Sequence, residues 1–293
     1  MPTFTSVSHA ENFPVASLFI APKLRAPIAA IYCFARNADD FADEGDHCAE
    51  TRLTALAEYH QGLDRIAQGL PANTPLFEAL NQVIRIHQLA LAPFYDLLHA
   101  FRRDIFVKRY RDNAALLNYC RYSANPIGQL ILALHGLANE QTVQWSNAIC
   151  TGLQLANFCQ DVALDWRMGR IYLPQDELYA AGITPDNLPQ AELSAAWRTL
   201  MNQQITRART LLHTGRPLVF ALKAIGKNAI QKDYLAKRLS WELRLTIEGG
   251  LRILERIEQC HYRVFTQRPT LNFRDWLIII ARCFRFKHSS SIV

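Results

Sequence analysis

Apolar residues return every three to four positions along nearly the whole of this 293-residue chain, and nowhere do β-branched residues alternate over a run long enough to make a strand. A segment with that period buries one stripe only as a helix, so the chain is expected to be all-α. The period is interrupted by proline, glycine or capping residues at "LPANTP" (70–75), "LAP" (91–93), "LANEQ" (137–141), "YLPQDELYAAGITPDNLPQ" (172–190), "TGRP" (214–217) and "QRPTLN" (267–272). These breaks leave predicted helices near 25–45, 48–69, 75–90, 93–106, 113–136, 140–166, 191–213, 217–238, 239–262 and 273–286, with 172–190 as the one long connection. Nothing rich in Gly, Ser or Pro divides the chain. Half of the residues are hydrophobic and a fifth are charged, so residues 1–293 read as a single domain with a sizeable core.

No apolar stretch approaches the roughly 18 residues needed to span a bilayer. The seven cysteines are scattered without metal-ligand spacing and no signal peptide precedes them, which suggests reduced thiols in a cytoplasmic protein. Charge is unevenly placed: residues 201–293 hold 17 Lys+Arg against 6 Asp+Glu, and residues 1–200 hold 15 against 20. A basic third serves solvated helix faces, an anionic membrane surface or nucleic acid. The last lacks any recognition motif here, and nucleic acid is not expected as a partner.

The stretch "CFARNADDFADE" (33–44) sets carboxylates into a helix that otherwise reads as core. With successive residues turning by about 100°, Asp39, Asp40 and Asp43 project at about −60°, +40° and −20° relative to Arg36. The remainder of the helix is filled by Ile28, Ile31, Phe34, Ala35, Ala38, Phe41 and Ala42, with Asn37 as the exception. Clustered carboxylates with reduced hydration cost several kcal/mol per ion unless a positive charge sits against them. A second stripe follows in "QLANFCQDVALDWRMGRIYLP", where Gln154, Asn157, Asp161 and Asp165 project at about 0°, −60°, −20° and +20°. Salt bridges would account for either stripe alone. Two Asp pairs at i and i+4 facing each other would make an oxygen-lined site suited to Mg²⁺ and phosphate oxygens. Arg36, Arg167 and Arg170 supply guanidinium forks that match phosphate. Such a site favours ionisation of a diphosphate, with Phe13, Tyr32, Phe41, Tyr119, Phe158 and Trp166 as candidate aromatic faces for the resulting cation, each more readily read as plain core.

These motifs resemble the squalene/phytoene synthase family. "RNADDFADE" is similar to its first Asp-rich motif, with Asp39 and Asp43 as the DxxxD pair and Arg36 and Asp40 beside them. The second motif is matched by Asp161 and Asp165, with Gln154, Asn157, Arg170 and Tyr172 in corresponding positions. "PFYDLLHAFRRDI" and "YCRYSANPIGQ", which carries Tyr119 and Asn125, resemble the helices lining the prenyl pocket. "HAENF", with His9 and Asn12, resembles the flap that closes over the diphosphates. The resemblance implies a helical isoprenoid-synthase fold with a central active-site cavity, Mg²⁺ on the four paired aspartates, and a catalytic Tyr172. The ordered set is specific, whereas a lone DxxxD is weak.

Two departures narrow the expectation. Leu164-Asp165 stands where many members have Glu-Asp, and Ala124-Asn125-Pro126 where many have Ala-Gly-Ser. With "ENFPVAS" and the "QRP...RDW" ending, they resemble the bacterial HpnC type of hopanoid clusters. That resemblance implies ionisation of presqualene diphosphate and capture of water, giving hydroxysqualene without NADPH. Condensation of two prenyl diphosphates to presqualene diphosphate, squalene or phytoene is the near alternative, and a non-catalytic assembly protein the distant one. Functional coupling to other enzymes of the squalene route would follow.

The last predicted helix, "FRDWLIIIARCFRFK" (273–287), gathers Arg274, Asp275, Arg282 and Arg285 within an arc of roughly 100°, while Trp276, Leu277, Ile279, Ile280 and Phe284 take much of the remainder. Such a helix either lies in the headgroup region of the inner membrane or docks on the core with a solvated basic edge.

Overall fold

The computed structural model describes residues 20–43, 45, 47–226 and 230–286. Its helices, in chain order, are α1 (Pro22–Asp43), α2 (Ala49–Ala67), α3 (Pro75–His87), α4 (Ala92–Asp104), α5 (Asn113–Ser123), α6 (Asn125–Leu134), α7 (Glu140–Gln160), α8 (Val162–Arg167), α9 (Gln175–Ala180), α10 (Leu188–Ala191), α11 (Ala195–Gly215), α12 (Pro217–Gly226), α13 (Ile230–Gln259) and α14 (Phe273–Phe284). Among the described residues the only β-type pairing is an isolated parallel bridge between Arg109 and Ile171. The expected all-α class is what forms.

Local chemistry sets the helix starts. Thr74 accepts from the Phe77 amide with Pro75 at the first position of α3. Asp112 caps α5 through the Ala115 amide at 2.8 Å, and Asn139 with Thr142 closes a capping box on α7. Four expectations change. The predicted helix 113–136 is broken at Ala124, because Pro126 has no amide proton to donate and its ring crowds the preceding turn. The predicted helix 140–166 is interrupted at Asp161, whose φ of −103° and ψ of 14° leave the helical region. No breaker separates 238 from 239, and α13 runs through both as a 30-residue helix. The long connection 172–190 contains the short helices α9 and α10.

The interior is built from two apolar clusters. One joins α1 to α4 around Phe34, Leu63, Leu80, Phe94 and Leu97. The other joins α5, α7 and α11 to α13 around Trp197, Leu212, Leu222 and Leu254. Helix α6 binds them together, with Leu130 and Leu134 in the first and Leu132 in the second. Close approach within the second cluster depends on missing side chains: a Cβ on Gly215 would stand 2.7 Å from the Trp145 carbonyl, and one on Gly152 only 3.0 Å from the Leu212 amide nitrogen. The first acidic stripe lies on a helix of one cluster and the second on a helix of the other.

Candidate active site

On α1 the buried residues Ile28, Ile31, Phe34, Ala38 and Ala42 turn into the first cluster, while Phe41 is 42% exposed and departs from the core reading. This orientation leaves Arg36, Asp39 and Asp40 half-buried along one edge. The Arg36 guanidinium bridges the two carboxylates, with Nη2 2.8 Å from Asp40 Oδ1 and Nη1 3.6 Å from Asp39 Oδ2. Asp43 ends the helix, and its side chain is outside the described set. His9, Asn12 and Phe13 also lie outside the described residues.

The second stripe falls on the α7–α8 junction. Gln154 is half-buried, Asn157 exposed, and Asp161 and Asp165 half-buried. Although Asp161 leaves the helical region, its carbonyl still accepts from the Asp165 amide at 2.9 Å, so the i, i+4 spacing survives the break. The Asp161 carboxylate is gripped by Arg268, with Nε to Oδ1 at 2.5 Å and Nη2 to Oδ2 at 3.1 Å. That two-point contact, then partial burial, then the Asp165 charge set the Arg268 environment, and the balance pushes its pKa up. Arg268 lies 107 residues beyond Asp161. Its position in "QRPT" marks a break in the sequence but gives no hint of the partner.

After α8 the chain is stitched back to the segment following α4. The Ile171 amide donates to the Lys108 carbonyl and the Gln175 amide to the Tyr110 carbonyl, each at 2.9 Å. This clamp sets Tyr172 face to face with Phe158 of α7, ring centroids 3.8 Å apart and planes 5° from parallel. Tyr110 and Tyr119 extend the group, at 5.7 and 6.0 Å from Tyr172. Phe158, Tyr172, Asp165 and Arg170 border a gap of about 10 Å³, the room of one water molecule. Asn125 is buried in the α6–α7 contact, where Thr151 donates to its Oδ1 at 2.9 Å. Trp166 is tied down by donating to the Pro185 carbonyl, and Arg167 is exposed.

A profile of the squalene/phytoene synthase family matches residues 7–275. The chain belongs to the squalene/phytoene synthase family. It is 39% identical over 207 residues to the hydroxysqualene synthase of Zymomonas mobilis, covering 69% of this chain and 67% of that protein. To the hydroxysqualene synthase of Rhodopseudomonas palustris it is 38% identical over 216 residues, 73% and 72% of the two chains. The crystal structure of squalene synthase HpnC from Alicyclobacillus acidocaldarius superposes with a TM-score of 0.76 at 35% identity, covering 87% of this chain and 90% of that one. The all-α architecture is that of the isoprenoid synthases, and the protein is an enzyme of this family.

The donor chemistry of Asp39 on the first stripe and of Asp161 and Asp165 on the second is oxygen only, as Mg²⁺ prefers. Among the described residues no three acidic, His or Cys side chains gather closely enough to hold a metal ion. Arginine charge from Arg36 and Arg268 stands against the carboxylates instead. The half-buried carboxylates therefore fit a cation in chemistry, and a metal binding at Asp161 has to compete with Arg268.

Proposed function

We propose that this enzyme ionises presqualene diphosphate and lets water capture the cation, releasing hydroxysqualene and diphosphate on the route to squalene and hopanoids. The observation that carries this reading is a single small gap lined both by Asp165 and Arg170 and by the stacked rings of Phe158 and Tyr172. A group that holds diphosphate thus adjoins aromatic faces that stabilise a carbocation. Likeness to two hydroxysqualene synthases supports water as the terminator, and NADPH is not required in this reading.

Asp39, Asp43, Asp161 and Asp165 would hold Mg²⁺, which when bound offsets the charge that builds on the departing diphosphate. Arg36 and Arg170, assisted by Gln154, Asn157, Asp40 and the N-terminal His9 and Asn12, orient the diphosphate oxygens. Asn125 shapes the prenyl pocket from the α6–α7 contact. Tyr119, Tyr172 and Phe158 surround the charge left on carbon and keep bulk water from it.

The test is to incubate purified protein and Mg²⁺ with presqualene diphosphate or farnesyl diphosphate, each with and without NADPH. Hydroxysqualene from presqualene diphosphate alone is the expected result. Turnover only from farnesyl diphosphate would assign the condensation instead.

An apolar C30 product leaves most readily into lipid, and α14 supports a peripheral contact. Its inner face is docked, with Asp275, Ile279 and Cys283 buried, yet Phe273, Leu277, Ile280 and Phe284 are 76, 53, 45 and 72% exposed. These four recur at i, i+4, i+7 and i+11, an apolar stripe with the exposed Arg274 and Arg285 beside it. Aromatics and arginines in that arrangement suit an anionic headgroup surface. Among the described residues no helix is long and apolar enough to cross a membrane.

A further inference from the structure

The break between α5 and α6 sets two polar side-chain groups in place without partners. Ser123, the last residue of α5, has a buried hydroxyl oxygen that finds no hydrogen-bond partner among the described residues. Asn125, the first residue of α6, is only 7% exposed. The Thr151 hydroxyl donates to Asn125 Oδ1 at 2.9 Å, which fixes the amide and leaves Nδ2 as its free end. That nitrogen donates to nothing among the described residues, yet it is not sealed in as the Ser123 oxygen is. Pro126 is the reason both groups stand here, since the break it forces ends one helix at Ser123 and starts the next at Asn125. Buried polar groups in that state point to a water or ligand group that the fold expects.

Their position narrows which. Ser123 follows Tyr119 by four residues on α5, about 40° round the helix and about 6 Å along it. It therefore shares the face from which Tyr119 meets the Phe158 and Tyr172 rings, at 6.3 and 6.0 Å. Thr151, which holds Asn125, precedes Phe158 by seven residues on α7, two turns and about 10 Å. Along α7 this contact lies beyond Phe158 from Asp161 and Asp165, toward the hydrocarbon end of a bound diphosphate. Prenyl chains carry no atom that can hydrogen-bond, so in a filled pocket water is what satisfies these groups.

We propose that Ser123 and Asn125 hold the water that ends the reaction. This role rests on the water-capturing reaction proposed above. Two residues of chain keep their Cα atoms within about 7 Å, a span that one water bridges. The water donates one O–H to Ser123 Oγ and accepts from Asn125 Nδ2, which leaves one lone pair for carbon. That pair forms the C–O bond to the cationic carbon. The second O–H bond of the resulting oxonium then breaks, its proton passing to the released diphosphate, the base that ionisation itself supplies. Cation, water and diphosphate become a neutral alcohol and a protonated diphosphate. Ser123 and Asn125 touch the reacting water, whereas Thr151 is a positioning residue that acts through Asn125.

Product partition tests the assignment. With presqualene diphosphate as substrate, Ser123→Ala and Asn125→Leu each remove one hold on the water while keeping most of the side-chain volume. Each is expected to lower the ratio of hydroxysqualene to elimination hydrocarbon by about tenfold, the scale of one lost hydrogen bond. Diphosphate release precedes capture, so its kcat should fall by no more than about threefold. Thr151→Val should lower the ratio less, by about threefold, and Ser123→Thr, which keeps a hydroxyl, should recover most of it. A merely structural role would slow diphosphate release and leave the ratio alone. That result, or a wild-type ratio in Ser123→Ala, would overturn the proposal, and Ser123→Ala decides the matter should Asn125→Leu not fold. Wild-type protein that makes no hydroxysqualene removes the reaction itself, and the role with it; wild-type protein that does, beside variants with its ratio, removes only the role.

Discussion

Two carboxylates four residues apart were legible in the sequence as a pair, but what each of them touches was not. Arg36 and Asp40 meet because i and i+4 are neighbours on any helix, so helical arithmetic alone finds that contact. Arg268 and Asp161 meet only through the tertiary fold, and the Tyr119–Asp104 bond likewise joins separate elements. At this scale we expect Asp39→Asn, Asp43→Asn, Asp161→Asn and Asp165→Asn each to lower turnover by at least about 100-fold, roughly 2.7 kcal/mol of barrier, with the far-ultraviolet dichroism unchanged. Three of the four retaining more than a tenth of wild-type activity would show that the diphosphate site has been misplaced. Arg268→Ala should tighten Mg²⁺ binding to the free enzyme by up to about tenfold in calorimetric titration, about 1.4 kcal/mol, since it removes the cation that competes for Asp161. Unchanged or weaker binding would mean that the pair does not guard a metal position.

Helices were the most readable level, because a period near 3.6 and a proline or capping residue are both local properties. The misreadings are local too: Pro126 was present as a signal inside 113–136, and the uninterrupted stretch around 238 gave no ground for a break. Pattern alone could not say which face of α14 would be covered. Docking and an outward apolar stripe were alternatives in the sequence; the fold satisfies both, burying Ile279 and Cys283 while exposing Phe273, Leu277, Ile280 and Phe284. Deleting the helix would therefore strip the core as well as the stripe. Leu277→Glu with Phe284→Glu is the cleaner change, since both side chains already face solvent. The pair should cut co-sedimentation with phosphatidylglycerol vesicles at low salt by about tenfold or more while shifting Tm little. Full retention of vesicle binding, or wild-type protein that never binds, would instead assign the stripe to another partner such as a second copy.

Across the molecule the two apolar clusters and the ion pairs that tie α14 to α13 decide how the fold responds to pH. The 1% exposed Asp275 meets both nitrogens Nε and Nη2 of Arg252 at 2.7 Å, and Glu255 binds Arg252 and Arg282. Burial alone would raise the Asp275 pKa; the Asn272 amide and the Arg252 and Arg256 charges outweigh it, and the net shift is downward. A lowered folded pKa contributes stability that is complete above the unfolded value, near 3.9, and is lost as pH falls through the folded one. Acidification below about pH 4 is therefore expected to loosen α14 from α13, read as earlier hydrogen exchange of the 276–284 amides than of α7. Asp275→Asn should shrink that pH step, leaving the part that Glu255 contributes, and cost about 3 kcal/mol at neutral pH by leaving Arg252 underpaired. Simultaneous exchange of both helices at all pH values would show that α14 is not a separately tethered element.

Termination by water is the central claim, and oxygen-18 labelling tests it most directly. Purified protein, Mg²⁺ and presqualene diphosphate in ¹⁸O-water, with no NADPH, should yield hydroxysqualene carrying one solvent-derived ¹⁸O. Unlabelled squalene formed only when NADPH is supplied would contradict the account.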